Sequence, residues 1–532
     1  MGTVMTRDDA TAVVGRVVEL LQDLADVPIE TLRSIAQESS VTHAVQLTEA
    51  LLQLTPSGSS AGWLRCLLSE LLFIAGRPAD SVATVTALPQ GAVAPSVAGS
   101  AAVAEVLSGA LLHPHSAEAS ARRRLRAVAG DIDQDPAAIA AASVMADCRA
   151  RAGDMEEALH WSRLVAHHAD LVPSPFWSMH LLVEAAARLA DAGEDAEAET
   201  LAERVRARWD RAPYPGIEAA LARVQAKVLI QRGLWSPLNR QVNDVAAAAT
   251  PERGERLHAP LLLAQLSVAA VYAGDLPTAQ ARLEACRRLL PERGAAVWDA
   301  RHAPEVPWAE LLWEECDGGP KRAVHRLTRL ARDPRAPLVR LFATVPGAAA
   351  WAARIAVDAG QRGLARHIGA VTEDVRARQP VRAALSAEHV RGVLDRDPVA
   401  LARAATQHRH AWARARAASD LAASLEDRAG PPPAWQSEPG RHRGSWHVIP
   451  AAQPERDDGG QESGWEALSG REQQVARLAA AGLTNRQIAS RVHCSVHTVN
   501  FHLRSVFRKL KITSRVEIGR HLASEARTHR TR

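Results

Sequence analysis

At 532 residues the chain is too long for one hydrophobic core, so two or more domains are expected. Hydrophobic residues at 47% and charged residues at 23% are an ordinary globular balance, which argues against a disordered or fibrous chain. The net charge of +4 hides an asymmetry: residues 466–532 carry 13 Lys+Arg against 4 Asp+Glu, so a basic end follows a slightly acidic remainder. A basic end suits nucleic acid or an anionic membrane.

Aromatic residues are only 4%, while alanine and leucine are abundant, a composition that favours helix over sheet. The five cysteines (Cys66, Cys148, Cys286, Cys316, Cys494) are scattered and never form CxxC. Buried free thiols in a reducing compartment are expected, with no disulfide frame and no zinc site. The start, MGTVMTRDDA, has no basic n-region, so no signal peptide is expected. The greasiest stretch, Ala259–Ala264, is interrupted by Gln265, and no membrane span is expected. A cytoplasmic location follows as an expectation.

Along the chain, an Ala-Gly-polar segment recurs before Ala-rich runs, at Gly76, Gly153, Gly193, Gly274 and Gly360, with Gly233 and Gly319 filling gaps. From Gly153 onward the spacings are 40, 40, 41, 45 and 41 residues. A turn at Pro114 would divide the double interval before Gly153. Ser39-Ser40 and Asp397-Pro398 extend the series at either end. About ten units across residues 1–425 are expected. The physics is that of a helical hairpin. Glycine takes the left-handed conformation that ends one helix, and the next Asp or Ser caps the second. Each hairpin leaves an apolar stripe for its neighbour to cover, such as Leu201, Val205 and Trp209, or Leu261, Leu262 and Leu266. Stacked hairpins make an all-α solenoid with a concave surface. These units resemble tetratricopeptide-type repeats, with a longer period and without aligned Trp/Tyr positions.

No P-loop, GxSxG, HExxH or GxGxxG motif occurs, so neither an enzyme nor a cofactor is expected. His113-Pro-His115, His167-His168 and His408-Arg-His410 lack a second ligand pair at zinc spacing; exposed or capping histidines are expected. The acidic run Glu310–Asp317 reads as a helix end with a solvated face. Phe176-Trp177, and Trp308 with Trp313, read as packing between repeats, with a ligand groove as the alternative.

Residues 426–464 are dense in Pro and Gly and lose periodicity, as a linker does. As a flexible coil they would span roughly 35 Å. Trp435 and Trp446 are unusual there and could dock on the repeats.

The last segment, residues 465–532, carries helix starts in quick succession. Ser469-x-x-Glu472, Thr484-x-x-Gln487 and Ser514-x-x-Glu517 are capping boxes, and Ser495 caps a further helix. The inner faces expected are Val475, Leu478 and Ala479, then Ile488, Ala489 and Val492, then Val499, Leu503, Val506 and Leu510, then Val516, Ile518 and Leu522. Opposite the third stripe lie His497, Asn500, Phe501, Arg504, Arg508 and Lys511. Such a helix can enter a major groove, where Arg suits guanine and Asn suits adenine. Phe501 could contact a thymine methyl, or belong to the core or a dimer contact.

The run L-S-x-R-E-x-x-V, G-L-T-N-R-Q-I-A, S-x-x-T-V-x-x-H-L, K-L and S-R-x-E, spanning Leu468 to about Leu522, resembles the LuxR/NarL-type helix-turn-helix. The resemblance implies a four-helix DNA-binding domain whose third helix reads the major groove and whose fourth pairs two copies. By motif position it implies Asn500, Phe501 and Arg504 as base readers. Asn485, Arg486, Thr498 and Lys509 become backbone contacts, and Arg508 and Lys511 join them on the basic face. The family usually has Lys where Asn500 stands, and often Gly where Lys511 stands. The order of solenoid then LuxR-type domain also resembles the C-terminal half of large LuxR-type regulators, without their P-loop ATPase. The partners implied are double-stranded DNA, a second copy of the chain, RNA polymerase, and an unidentified effector on the repeats. The alternative is an interaction scaffold whose helix-turn-helix contacts proteins such as a sigma factor.

Overall fold

A computed structural model describes residues 40–55, 59–88, 94–128, 132–211, 214–234, 240–290, 304–333, 337–429, 468, 470–480, 487–488, 491, 503, 506 and 510. The chain divides into two compact units, Met1–Trp435 and Gln436–Arg532. Among the described residues there are 22 α-helices and no strand.

The described part of the first unit begins with α1 (Val41–Leu54), capped by Ser40, whose Oγ accepts the His43 amide at 3.2 Å. Helical hairpins follow: α2/α3 (Ser59–Ile74, Pro78–Thr86), α4/α5 (Pro95–Leu112, Ala117–Ala127), α6/α7 (Pro136–Arg151, Met155–His168) and α8/α9 (Pro175–Asp191, Asp195–Trp209). Next come α10/α11 (Ile217–Arg232, Arg240–Ala248), α12/α13 (Ala259–Ala273, Leu276–Leu289) and α14/α15 (Glu305–Gly318, Pro320–Arg332). A short helix, α16 (Pro337–Thr344), precedes α17/α18 (Ala348–Asp358, Arg362–Arg378), α19/α20 (Ala384–Asp395, Pro398–Gln407) and α21 (Ala411–Ala429).

The hairpins turn where the glycine series places them. Gly76, Gly153, Gly193, Gly233, Gly274, Gly319 and Gly360 have φ between 70° and 80°. This left-handed backbone is costly for any residue with a Cβ. The second helix then starts on a cap: the Asp154 and Asp275 carboxylates accept the amides of Glu157 and Thr278. Before α20 the turn is made by Arg396 at φ 57°, and Asp397 caps Val399 at 2.9 Å. Residues 113–116 separate α4 from α5, as Pro114 suggests.

The first helices of successive hairpins stack on one another from α2 through α14, and again from α17 to α19, forming an inner row. The central inner helices, α6, α8 and α12, are buried almost all round. In α12 every residue from Ala259 to Tyr272 is buried, including Gln265. α4, with a mean hydropathy of 1.4, is long and apolar enough to cross a membrane. It is nonetheless an inner-row helix: Ser108 donates to Ser81 at 3.1 Å, and the Cys66 thiol reaches the Val97 carbonyl. Cys66, Cys148 and Cys286 are buried free thiols and Cys316 is half-buried; Cys494 lies outside the described residues.

The row curls tightly enough to bring distant units together. Glu70 of α2 accepts from Ser174 before α8 and from Tyr214 before α10. The Arg256 amide donates to the Ile74 carbonyl at 3.0 Å. Phe176 and Trp177 pack against Tyr214 and Phe73. Trp308 meets Trp351 and Trp412 edge-on, and its Nε1 donates to the Tyr272 hydroxyl at 3.1 Å. Trp313, expected as its companion, is half-buried outside this cluster.

Two local readings change. The acidic run of α14 is not wholly solvated: Glu315 is 8% exposed and accepts from Trp351 Nε1, while Glu310 and Glu314 pair with Arg326. Burial pushes Glu315 up to about 7, against the opposing pull of Arg416 and Trp351. Among the histidines, His113 and His115 are exposed. His408 and His410 are buried; His410 Nδ1 caps the Ala413 amide, as expected of a capping histidine, and His408 is the one that differs.

Two predictions follow from these contacts. Gly347, at φ 87°, has no room for a Cβ, which would lie 2.9 Å from Trp412 and 3.0 Å from Ala413. At Gly360 the same atom meets nothing within 4 Å. Chemical denaturation should show G360A costing about 1 kcal/mol, from backbone strain alone, and G347A roughly 2–3 kcal/mol. The second concerns pH. Glu315 keeps its proton up to about 7 in the folded protein, against an ordinary value of 4.5. Between those values only the folded state holds that proton, so stability falls as pH rises through the window. Thermal unfolding from pH 4.5 to 7.5 should show a shallower loss for E315Q than for the native chain.

Candidate nucleic-acid interface and a charged interior

In the second unit the described residues form one small core. α22 (Gly470–Ala480) buries Val475, Ala476 and Ala479, with Leu478 half-buried beside them. Gln473 Nε2 donates to the Leu468 carbonyl at 3.2 Å across the helix start. Ile488 joins this core from the next helical segment, and Leu503, Val506 and Leu510 from the one after. Their spacing of three and four residues is that of one helix face. Gln487 and Arg491 are exposed. The residues expected to touch DNA, Asn485, Arg486, Thr498, Asn500, Phe501, Arg504, Arg508, Lys509 and Lys511, lie outside the described residues. So do the remaining core positions of the second and third helices and all of the fourth.

Residues 466–522 match the family described as bacterial regulatory proteins, luxR family. The C-terminal unit therefore carries a LuxR-family helix-turn-helix domain. A putative HTH-type transcriptional regulator of Mycobacterium bovis is 44% identical over 55 residues, 10% of this chain and 6% of that protein. A nitrate/nitrite response regulator homologue of Haemophilus influenzae is 45% identical over 51 residues, 24% of its length. The nitrate/nitrite response regulator NarP of Escherichia coli is 43% identical over 58 residues, 27% of its length. The chain thus matches a small share of each relative, confined to this domain. No solved structure matches the chain.

Within the first unit, the inner row carries charge that motif reading missed. Along α8, His180, Glu184, Arg188 and Asp191 fall on one stripe of an otherwise apolar helix, and Arg223 and Lys227 share a stripe of α10. Lys227 is sandwiched between Asp191 and Glu305, the latter at 2.9 Å. Burial raises Asp191 further than Lys227 lowers it. For Glu305 burial is outweighed by Lys227 and Arg223, which hold it down to about 2. One turn earlier, Arg223 donates to Glu184 at 2.7 Å. Burial alone would raise Glu184, but Arg223, His258, His180 and Arg188 together outweigh it and hold the carboxyl well below its usual range. His180, Glu184 and His258 offer ligand atoms that all lie within 4.8 Å of one another. His180 and His258 are 78 positions apart, so no local spacing could announce them; the signal available was a periodic charged stripe on a greasy helix.

The domain core gives a direct test. Leu503→Ala leaves a cavity that should cost about 2–4 kcal/mol in so small a core. Hydrogen exchange on the full chain should show faster exchange across α22 and unchanged protection in α12.

Proposed function

We propose that this chain is a sequence-specific DNA-binding transcription regulator of the cytoplasm, in which the C-terminal domain binds DNA and the helical repeats control it in response to an effector. The observation that carries the reading is the luxR-family match over residues 466–522, together with the core that its described residues form. Relatives over that segment are named as transcriptional or response regulators.

The third helix is the reading element in this proposal. Leu503, Val506 and Leu510 are buried. At about 100° per residue, an α-helix with those positions inward turns positions 500, 501, 504, 508 and 511 away from them. Asn500, Phe501 and Arg504 then read base edges in the major groove. Asn485, Arg486, Thr498, Arg508, Lys509 and Lys511 hold phosphates. The fourth helix pairs two copies on DNA, and RNA polymerase is the downstream partner. Residues 426–464 tether the domain to the repeats, which span residues 1–425.

Selection of bound fragments from the source genome with the full-length protein should enrich a short repeated or palindromic site. Failure to enrich any sequence rejects the proposal. At that site Arg504→Ala should cost about 1–3 kcal/mol and relax preference at one position. An equal loss on all sequences would make Arg504 a phosphate contact only. Binding should weaken steeply with salt, as released counterions require.

A further inference from the structure

Among the described residues, two pockets open beside the charged stripes of the inner row, and their polar groups are satisfied to different degrees. The smaller, about 70 Å³, is lined by Asp191, Lys227, Gln265 and Glu305. There one ammonium sits between two carboxylates. The larger, about 130 Å³, is lined on one side by His180, Glu184, Arg188, Arg223 and His258. Its other wall is apolar, formed by Leu107, Leu111, Val144 and Leu261.

Two of the arginines that line the larger cavity have carboxylate partners: Arg151 pairs with Asp147, and Arg223 with Glu184. Arg188 reaches no carboxylate within 4.0 Å among the described residues. It is 4% exposed. One terminal nitrogen donates to Ser143 Oγ at 2.8 Å and to the Ser143 carbonyl at 3.3 Å, the other to the Glu184 carbonyl at 3.1 Å, while its Nε has no partner. His258 is 2% exposed with neither ring nitrogen hydrogen-bonded, and His180 Nδ1 is likewise unmatched. Each such buried polar atom costs free energy unless something completes it. Burial pushes His180 down to about 4, so at neutral pH it carries no charge. Burial and Arg223 hold His258 well below its ordinary value.

A divalent cation does not complete this set. The Arg188 and Arg223 guanidinium groups lie beside the three candidate ligands and oppose a cation there, and Arg223 already donates to Glu184 Oε1. An anion answers both the Arg188 guanidinium, which no carboxylate neutralises among the described residues, and the imidazole N–H groups left unmatched beside it. A guanidinium suits a carboxylate, whose two oxygens its planar fork matches. The volume approaches that of an engineered cavity that takes benzene, which limits the apolar part to a ring or a short branched chain.

We propose that the cavity between α4, α6, α8, α10 and α12 binds a small organic monocarboxylate, with its carboxylate on Arg188 and the imidazoles of His180 and His258, and its compact apolar tail against Leu107, Leu111, Val144 and Leu261. As the effector site it rests on the regulatory reading above; as a binding site it stands on this geometry alone.

The test is calorimetric titration of the full-length protein with benzoate and with 3-methylbutanoate, and with benzamide as the neutral isostere. At least one carboxylate should bind saturably near one per chain, with Kd at or below about 1 mM. Benzamide should bind at least tenfold more weakly. Arg188→Gln and His258→Gln should each weaken the carboxylate at least tenfold while circular dichroism shows native helix content. If Arg188→Gln does not fold, His258→Gln alone decides. The proposal is overturned if neither carboxylate saturates up to roughly 10 mM, if benzamide binds equally well, or if the folded variants bind as the native chain does. It is also overturned if Zn²⁺ alone binds tightly and loses that binding in His258→Gln. DNA retention by the same preparation, measured without ligand, separates the two readings. Loss of carboxylate binding with DNA retention intact rejects only the pocket, and the reverse rejects only the regulator.

Discussion

An α-helix that is apolar on every side can exist in water only when other helices surround it, and the first unit is organised around that requirement. α12 is buried from Ala259 to Tyr272, and α6 and α8 nearly so. No single hairpin can cover such a helix. Each inner helix needs the one before it, the one after it, and its own outer partner. The curl of the row adds ties between units far apart in sequence. Arg378 and Arg382 donate to the carbonyls of Ala152 and Ala192, at the C-terminal ends of α6 and α8. Positive charge at those ends also opposes the helix dipole.

What was legible in the sequence is what is decided locally. A left-handed turn is a property of one residue, so the glycine series located the hairpins, and a shortfall at Arg396 was covered by the Asp397-Pro398 signal. Periodicity located the buried stripes, such as Leu201 and Val205. In the C-terminal domain, capping boxes and stripes lie within a few tens of residues, and Val475, Ile488, Leu503, Val506 and Leu510 form the core they imply. The residues that would meet DNA lie outside the described residues, so their roles still rest on the motif.

What was not legible is what depends on pairing at a distance. Glu315 sits in a run that reads as a solvated face, and only Trp351, 36 positions later, makes it a buried group. α16 fits an extra helix into an interval of ordinary length, because α15, α16 and α17 are all short. His408 and His410 look like surface histidines beside Arg409, yet His408 lies against His389 and both are buried. The meeting of His180 with His258 belongs to the same class.

The charged interior separates structural from functional polarity. Burying ions is expensive, and apolar replacements of similar volume often leave a protein as stable or more so. Lys227 with Asp191 and Glu305 is nevertheless closed at its charges: each has a partner, and Gln265 adds a donor to Glu305 at 3.4 Å, leaving only its own Oε1 unmatched. That triad can be understood as a fastener of α8, α10 and α14. The cluster one turn away is built of the same kinds of residue on the same two helices but stops short of closure. Arg188 has no carboxylate among the described residues, and His258 makes no ring hydrogen bond. A fastener has no use for unmatched donors facing an open volume, since they subtract from the stability the helices supply. The contrast within one interior, not the presence of charge in it, marks the Arg188 cavity as a place for something the chain itself does not provide.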